Sequence, residues 1–444
     1  MRSCSKTCDR LSPGATTAIL GCAALAGLAV VLASPRAIAA GFMIRENSAV
    51  GVATTYAGDG SRADSAATVF NNPAGMTRLT QDEVDLGTAI VIPSIKFNGG
   101  ATAFGAPVSG TDGGSAGHVG PVPSVSWAFG IADRLKGGIA VTAPFGLVVA
   151  YNSPWVGRYV GIKTSVLSVD INPSLAYQLT DSLSLGGGVS AQYLRIDSSS
   201  AIPQFAIFGP GTPDATFRAK ADDWAFGFDL GALLEVPGGT RFGLTYRSQM
   251  NHRIKGDLTF TGVLPLLPLT DGPAAADVHL PATVGLSATT DVTPDISLSA
   301  DVQFSQWSVF KRVVIETTNP APFNEFPNEE HYRDSWLISV GGVYRLDPVW
   351  SLRAGLGLDQ TPITDAFRAV SLPDQNRILM GVGFGYRMTD AMSLDGGFQH
   401  SFPTAKPSMN KSANNTDPFT GAVVLNGNYD VTVDVVALSL RYRY

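Results

Sequence analysis

Cysteine is almost missing from this chain: all three copies, Cys4, Cys8 and Cys22, fall within the first 22 of 444 residues. Nothing further along offers a thiol for a disulfide framework, a thiolate nucleophile or a cysteine-ligated metal. Charge is sparse, at 15% of residues, and the one apolar run, from about Ala18 to Ala33, is too isolated for a helical membrane protein. Histidine is confined to five positions (His118, His252, His279, His331 and His400) without ligand spacing, and no nucleotide loop or calcium loop occurs, so no metal or cofactor is expected. Glycine, in contrast, is abundant at 48 residues, and the mean hydropathy of +0.14 is apolar for a chain so poor in hydrophobic runs. Length alone would suggest about three domains; the composition points instead to a single membrane β-barrel.

Residues 1 to 39 read as a secretory signal, with Arg2, Lys6 and Arg10 before the apolar run and an A-x-A step at Ala37-Ile38-Ala39. The run covers about 16 residues where a helical span needs about 20. Cleavage there would leave a chain starting Ala40-Gly41-Phe42. This segment holds four of the 31 basic residues and one of the 37 acidic ones, leaving 27 against 36 and a net charge of −9. Such a balance argues against a nucleic-acid partner.

Beyond Leu79 the text alternates. In "ISLSADVQF" the residues Ile296, Leu298, Ala300, Val302 and Phe304 share one face, while Ser297, Ser299, Asp301 and Gln303 share the other. "WSLRAGLGLD", from Trp350 to Asp359, repeats the arrangement. A period of two with one apolar face is a strand with one greasy side. Short turns recur near Asp133, Asp181, Gly238, Asp295, Asp347 and Asp390, mostly with the text turn-Asp then apolar-Ser-Leu, a repeat at hairpin scale. Longer irregular stretches lie between them. Six short turns and seven long loops predict fourteen antiparallel strands, beginning near residues 83, 121, 137, 160, 182, 217, 240, 277, 295, 332, 349, 376, 392 and 428, closed into a transmembrane barrel. In the final strand Val436, Leu438, Leu440, Tyr442 and Tyr444 share a face with Asp430, Thr432 and Asp434, which predicts a bulge near Val435-Val436.

Before the first strand stands "ADSAATVFNNPAGMTRL", Ala63 to Leu79, which does not alternate. Asp64 or Ser65 is suited to cap one short helix, and Asn72 with Pro73 forms the N-cap and first residue of another. The phrases "AGF", "YAGDGSRADSAATVFNNPAGMTRL", "APFGLVVAYNSPWVGRYVG", "RDSWLISVGGVYRL" and "LPDQNRILMGVGFGYRMTDAMSLDGGFQH" occur in that order. Together they resemble the FadL/TodX-type outer membrane transporters of long-chain fatty acids and other hydrophobic compounds.

The resemblance implies an all-β fold: a fourteen-stranded barrel (residues 82 to 444) whose N-terminal, partly helical segment (residues 40 to 81) folds into the lumen as a hatch. It implies gating by Phe42, Asn72, Pro73 and Ala74, and lateral exit where the third strand is kinked at Pro144, Phe145 and Gly146. Proline and glycine weaken a ladder for plain physical reasons as well. The resemblance further points to Arg195 and Arg333 as ligands of a carboxylate. Arg333 shares parity with Ser335 and Ser339 and so is expected to face inward, whereas Arg195 shares parity with Tyr193.

The localisation implied is the outer membrane of a Gram-negative bacterium. The expected partners are a fatty acid or another hydrophobic small molecule, outer membrane lipids and lipopolysaccharide, and the barrel assembly machinery through the aromatic-ended last strand. External stretches such as "AIPQFAIFGPG" and "GVLPLLPLT" are apolar enough to capture such cargo or to pack on each other. One string, "GGSAG" around Ser115, matches G-x-S-x-G, but a nucleophile elbow needs a strand-to-helix turn, so an outer membrane lipid hydrolase stays the rival reading and a transporter of aromatic hydrocarbons the nearer alternative. The chain is expected not to be an enzyme.

Overall fold

The computed structural model describes residues 41–321, 323–411 and 423–444. The expected signal segment and its cleavage site lie outside these residues. No described helix is long and apolar enough to cross a membrane. The chain forms strands almost throughout, and fourteen of them make one ring.

The ring consists of β1 (Glu83–Ala103), β2 (Gly120–Ala132), β3 (Leu135–Thr142 with Gly146–Ala150), β4 (Lys163–Gln178), β5 (Leu183–Ile202), β6 (Ala215–Val236) and β7 (Thr240–Arg247 with Met250–Thr261). It continues with β8 (Gly272–Leu280 with Thr283–Asp291), β9 (Ile296–Ser305), β10 (Ser335–Arg345), β11 (Trp350–Asp359), β12 (Arg377–Arg387), β13 (Met392–Pro403) and β14 (Val423–Arg443). Each strand pairs antiparallel with its sequence neighbours, and β1 closes the ring on β14 from Glu83↔Arg443 to Ala103↔Val423. Closure leaves no unpaired first or last strand, which a bilayer demands because lipid offers no partner for a free backbone group.

The expected strand starts agree with these to within three residues, except that β8 and β14 begin five residues early. At those two places "GPAAA" and "LNGN" look like loop, because alanine hides the alternation and Asn-Gly imitates a turn. Turns of two to four residues join the strands at one end; at Gly238 and Gly239 the backbone takes φ of 94° and 81°, which needs glycine.

The expected bulge in the last strand is absent: the pairing of β14 with β1 runs through Val435 and Val436 without a slip. Asp430 and Asp434 do lie on the outward face. They are tolerated because β14 has 21 residues, about twice what a crossing requires, so its upper half stands clear of the hydrocarbon. There Asp430 pairs with Lys406 at 2.6 Å and Asp434 with His400 at 2.6 Å.

Large apolar side chains alternate on the outer face, among them Leu86, Leu167, Leu185, Phe226, Leu244, Leu286, Val340, Leu356, Val382 and Leu438, all exposed. A soluble protein would bury this row; a lipid-facing wall presents it. The inward row is small and polar, for example Ser124, Ser126, Asp170, Asn172, Ser190 and Gln192, all buried.

They are buried because the lumen is filled. The chain from Gly41 to Leu79 contains α1 (Ala49–Ala53), α2 (Thr68–Asn71) and a 3-10 turn (Pro73–Arg78). Helix α1 lies against β11 to β14, whereas the 3-10 turn lies against β3 to β6 across the ring. Asn72 caps the 3-10 turn, its side chain accepting from Ala74 N–H, with Pro73 in the first position. Neither Asp64 nor Ser65 caps α2, whose N-cap is Ala67; the side-chain cap belongs to Ser48 on α1, a position the alternation did not mark.

Wall glycines let the two backbones touch. A Cβ added at Gly243 would sit 1.9 Å from Gly60 O, at Gly186 2.4 Å from Ala74 N, at Gly355 2.2 Å from Thr54 C and at Gly397 2.4 Å from Ala49 O. Ionic contacts fix the short-turn end: Glu83 accepts from Ala66 N–H at 2.6 Å and pairs with Arg443 at 2.6 Å, and Arg441 donates to Asp64 O at 3.2 Å.

Candidate functional site

The wall is not sealed everywhere. Strands β2 and β3 pair from Val125↔Val141 down to the short turn. Higher up, the chain reaching β2 bridges β3 at Gly117↔Val149. Between these levels the two strands do not pair, and three prolines explain why. The ladder of β2 with β1 is unbroken from Gly120 to Ala128, so its hydrogen-bonding groups at even positions face β1 and the amide positions of Pro121 and Pro123 face β3. In an antiparallel strand successive residues face opposite neighbours. On β3 the break falls at Ala143 to Phe145, and Pro144 again lacks the donor.

The gap is closed by the luminal segment. Ile44 N–H donates to Pro144 O at 2.8 Å and Gly146 N–H donates to Phe42 O at 3.0 Å, with Met43 and Phe145 as bridge partners between them. Residues 42 to 44 thus act as a short strand in the place β2 leaves empty. Phe42 anchors it, its ring centroid 5.0 Å from Trp307, 5.7 Å from Phe310 and 5.9 Å from Phe145. Gly41 N–H donates to Asp374 Oδ2 at 2.9 Å, and the same oxygen accepts from Thr361 Oγ1 at 2.8 Å. Burial pushes the Asp374 carboxyl above the usual range. A Cβ at Gly41 would press on Pro362 at 3.1 Å and Trp307 at 3.2 Å.

Beside this seam is a cavity of about 120 Å³. Met43, Ile44, Pro144 and Phe145 line one side, and Tyr246, Ser248, Met250 and Pro281 line another. Its floor is polar, with Arg45, Asp59, Asp229, Arg247, Asp301 and Gln303. Burial pushes the carboxyl of Asp59 up to about 6, although Arg62 at 2.8 Å opposes the shift. Arg45 is engaged by Gln303 at 2.7 Å and Asp359 at 3.4 Å. Arg247 lies over the Phe70 ring at 3.8 Å and donates to Phe70 O at 2.8 Å; among the described residues it takes part in none of the ion pairs closer than 4.0 Å.

The two arginines expected to meet a carboxylate are elsewhere. Arg195 projects from the outer face of β5, beside Tyr193, while Gln192 and Leu194 of the same strand are the buried, inward residues. Arg333 is exposed: the chain leaves the β10 alternation at Asp334, and the Arg333 guanidinium reaches only Thr361 O at 3.4 Å. Parity was carried two residues too far. Arg247, a cation in the cavity lining, shares parity with Gly243 and Thr245 in "GLTYRSQ". Arg45 lies outside any strand and had no periodicity to reveal it.

The apolar loops form a lid of their own. Phe205–Phe208 makes a short helix, α3. Gln204 clamps the two segments together, donating to Pro213 O at 3.0 Å and Gly262 O at 2.9 Å and accepting from Leu264 N–H at 2.8 Å. Ile202 and Leu269 pack beneath, and Ile207 and Leu266 stay 62% and 82% exposed. The two stretches pack on each other and still present an exposed apolar crest. Ser115 is exposed in an extended bridge to Lys96, with no helix following, so the elbow of a hydrolase is not formed.

A closed fourteen-strand barrel with a lipid-facing belt, a filled lumen and a seam in its wall is an outer-membrane transport barrel. The chain matches, over residues 30–444, the family described as outer membrane protein transport protein (OMPP1/FadL/TodX). It is 27% identical over 402 residues to the long-chain fatty acid transport protein of Escherichia coli O6:H1, covering 83% of this chain and 88% of that one. Its structure is similar to that of a Pseudomonas aeruginosa FadL homologue, with a TM-score of 0.84, 25% identity and coverage of 91% of this chain and 100% of that one. It also shares the fold of the Ralstonia pickettii toluene transporter TbuX, with a TM-score of 0.66 and 18% identity over 90% of this chain and 99% of that one. The protein belongs to the FadL/TodX family of outer membrane transport proteins. It is therefore a transport protein of the Gram-negative outer membrane, not an enzyme.

Proposed function

We propose that the protein takes up long-chain fatty acids or related hydrophobic compounds, by capture at the apolar loop crest, binding in the internal cavity and lateral release through the β2–β3 seam. The observation that carries this is the seam itself: three missing donors leave a gap that only the main chain of residues 42 to 44 fills. Apolar cargo gains nothing from a water-filled pore, since each methylene moved out of water is worth about 0.8 kcal/mol. A side door into lipid never asks it to enter the aqueous periplasm. Two hydrogen bonds and one aromatic anchor make the door cheap to open relative to unpairing a strand.

The reading supports roles for Phe42, Pro144, Phe145 and Gly146 at the door. Asn72, Pro73 and Ala74 hold the far end of the hatch still while its beginning moves. Arg247 replaces Arg195 and Arg333 as the group that meets a carboxylate. The outer belt is the surface for membrane lipids and lipopolysaccharide, and the aromatic end of β14 is the signal for assembly machinery. An aromatic hydrocarbon is the second cargo to consider, because a cavity of about 120 Å³ is close to the roughly 150 Å³ that admits one benzene ring.

Locking the door tests the proposal. Met43 and Phe145 are a non-hydrogen-bonded antiparallel pair, whose Cα atoms lie roughly 4.5 Å apart, within the range a disulfide spans. The Met43→Cys, Phe145→Cys variant, when oxidised, is expected to lose most uptake of labelled oleate into cells, and reduction should restore it. Unchanged uptake in the locked protein would show that release does not pass through this seam.

A further inference from the structure

A second interruption lies across the barrel, between β6 and β7. The strands pair from Asp229↔Arg247 to Val236↔Thr240 and again from Asp222↔Lys255 to Thr216↔Thr261. In between, Asp223 to Phe228 face Ser248 to Ile254 without partners, six residues against seven. The cause is a bulge at Ser248-Gln249. Below it the inward residues of β7 are odd, Arg241 and Gly243; above it they are even, Met250, His252 and Ile254. β8 is interrupted at the same level, at Pro281-Ala282, and β7 and β8 keep their mutual register across it.

What spans this gap is slight. Ser248 N–H donates to Phe228 O at 2.9 Å, Ser248 Oγ accepts from Phe228 N–H at 2.9 Å, Arg253 N–H donates to the Asp223 side chain at 3.1 Å, and His252 Nδ1 lies 3.4 Å from the same carboxylate. These bonds hold the two ends and leave Trp224 to Gly227 between them. On the outer face Phe226 is 78% exposed, more than any other large apolar residue on a strand. The outward row of β6 changes from Arg218, Lys220 and Asp222 to Trp224, Phe226 and Phe228 here, which puts the gap just inside the outer hydrocarbon boundary.

The cavity reaches this place. It does so at the lower edge and on the β7 side: Leu230 and Tyr246, a pair on the outer row, line it together with Ser248 and Met250, whereas Asp223 to Phe228 do not, and Arg247 is the residue next to the bulge. A space of about 120 Å³ holds roughly one aromatic ring, so a sixteen-carbon tail attached to a head at Arg247 must extend beyond it. The β2–β3 seam is shut by the main chain of Phe42 to Ile44 in this structure, whereas the β6–β7 gap is covered from inside by the side chains of Ser248, Met250 and His252, which can move aside without unpairing a strand. We propose that the gap between β6 and β7 is a tail slot, taking the distal methylenes of a single-chain fatty acid whose carboxylate lies beside Arg247. The assignment rests on the fatty-acid reading of the same cavity.

The test uses chain length. A Cβ at Gly227 would lie 2.7 Å from both Met250 Sδ and Ser248 Oγ across the gap, so Gly227→Leu is placed to fill the slot. Binding of palmitate and octanoate is measured on the full-length protein in lipid nanodiscs. Each methylene leaving an apolar site costs roughly fourfold in affinity, so Gly227→Leu is expected to weaken palmitate at least about tenfold and leave octanoate within about twofold. Gly227→Ala, which fills less of the slot, should show the same selectivity at smaller size. Unchanged palmitate binding, or equal losses for both acids, overturns the slot. A selectivity seen in detergent but not in nanodiscs would mean that bilayer chains occupy the gap, and overturns its assignment to the free acid. Failure of the wild-type protein to bind palmitate at all removes the fatty-acid reading and the slot with it, and that result is visible before any variant is made.

Discussion

Asn72 ties the luminal segment to the wall through one side chain, and replacing it by alanine gives a worked expectation. It is fully buried. Its Nδ2 donates to Gly60 O at 2.6 Å and to Ala232 O of β6 at 3.1 Å, and its Oδ1 accepts from Ala74 N–H at 3.2 Å. One carboxamide therefore joins two turns of the luminal segment to the wall. Gly231 leaves room for it, since a Cβ there would stand 2.1 Å from Asn72 Oδ1. Asn72→Ala removes three buried hydrogen bonds at about 1 kcal/mol each, a loss of roughly 3 kcal/mol and about 150-fold in the equilibrium for local opening. Amide hydrogen exchange in nanodiscs, read by mass spectrometry, reports that equilibrium directly. The expectation is faster exchange confined to about Gly58 to Arg78, with the strands β11 to β14 unchanged. Asn72→Asp should be no better than alanine, because it keeps the acceptor and loses both donors. Exchange that changes by less than about fivefold, or equally in the strands, would refute the claim that this residue holds the segment to the wall.

Replacing Arg247 by leucine should weaken binding of a fatty acid by roughly 1.5 to 3 kcal/mol, the scale of a charge-assisted bond, and barely affect its methyl ester; isothermal titration with both ligands checks this, and Arg333→Leu, at an exposed position, should change neither. The pH dependence is set in part by Asp59, whose carboxyl is raised to about 6 from its ordinary value of 3.8 by burial. A group with a raised folded value binds more protons folded than unfolded between these limits, so its contribution to hatch stability increases as pH falls from about 6 towards 4 and is lost as pH rises through 6. Exchange protection near Asp59 should follow that curve, and Asp59→Asn should flatten it; an identical curve in the variant would show that another group controls it.

The strand count, the order of turns and loops and the break at Pro144 were legible because each is written in neighbouring residues: alternation, turn chemistry, a proline in a strand. The gap between β6 and β7 was not legible, since "YRSQMNH" contains no proline or glycine to mark its bulge, and the interruption at the same level, at Pro281-Ala282, lies on the next strand. The inward orientation expected of Arg333 was not legible for a related reason. Parity holds only within an unbroken strand, and Arg333 stands two residues before the first residue of β10. The expected bulge in β14 was the opposite error, an assumption that outward residues must all be apolar, when half the strand rises above the bilayer.

The glycines at 186, 243, 355 and 397, where the wall meets the luminal chain at contact distance, also bear on something unrelated to cargo. An empty ring of fourteen strands would be a hole for ions and small nutrients. With backbone pressed on backbone at these four places, the core is expected to conduct few ions in a planar bilayer, so that a route for apolar molecules is combined with insulation against what is dissolved in water. Any side chain added at those positions would lift the inner chain off the wall and trade insulation for leakage.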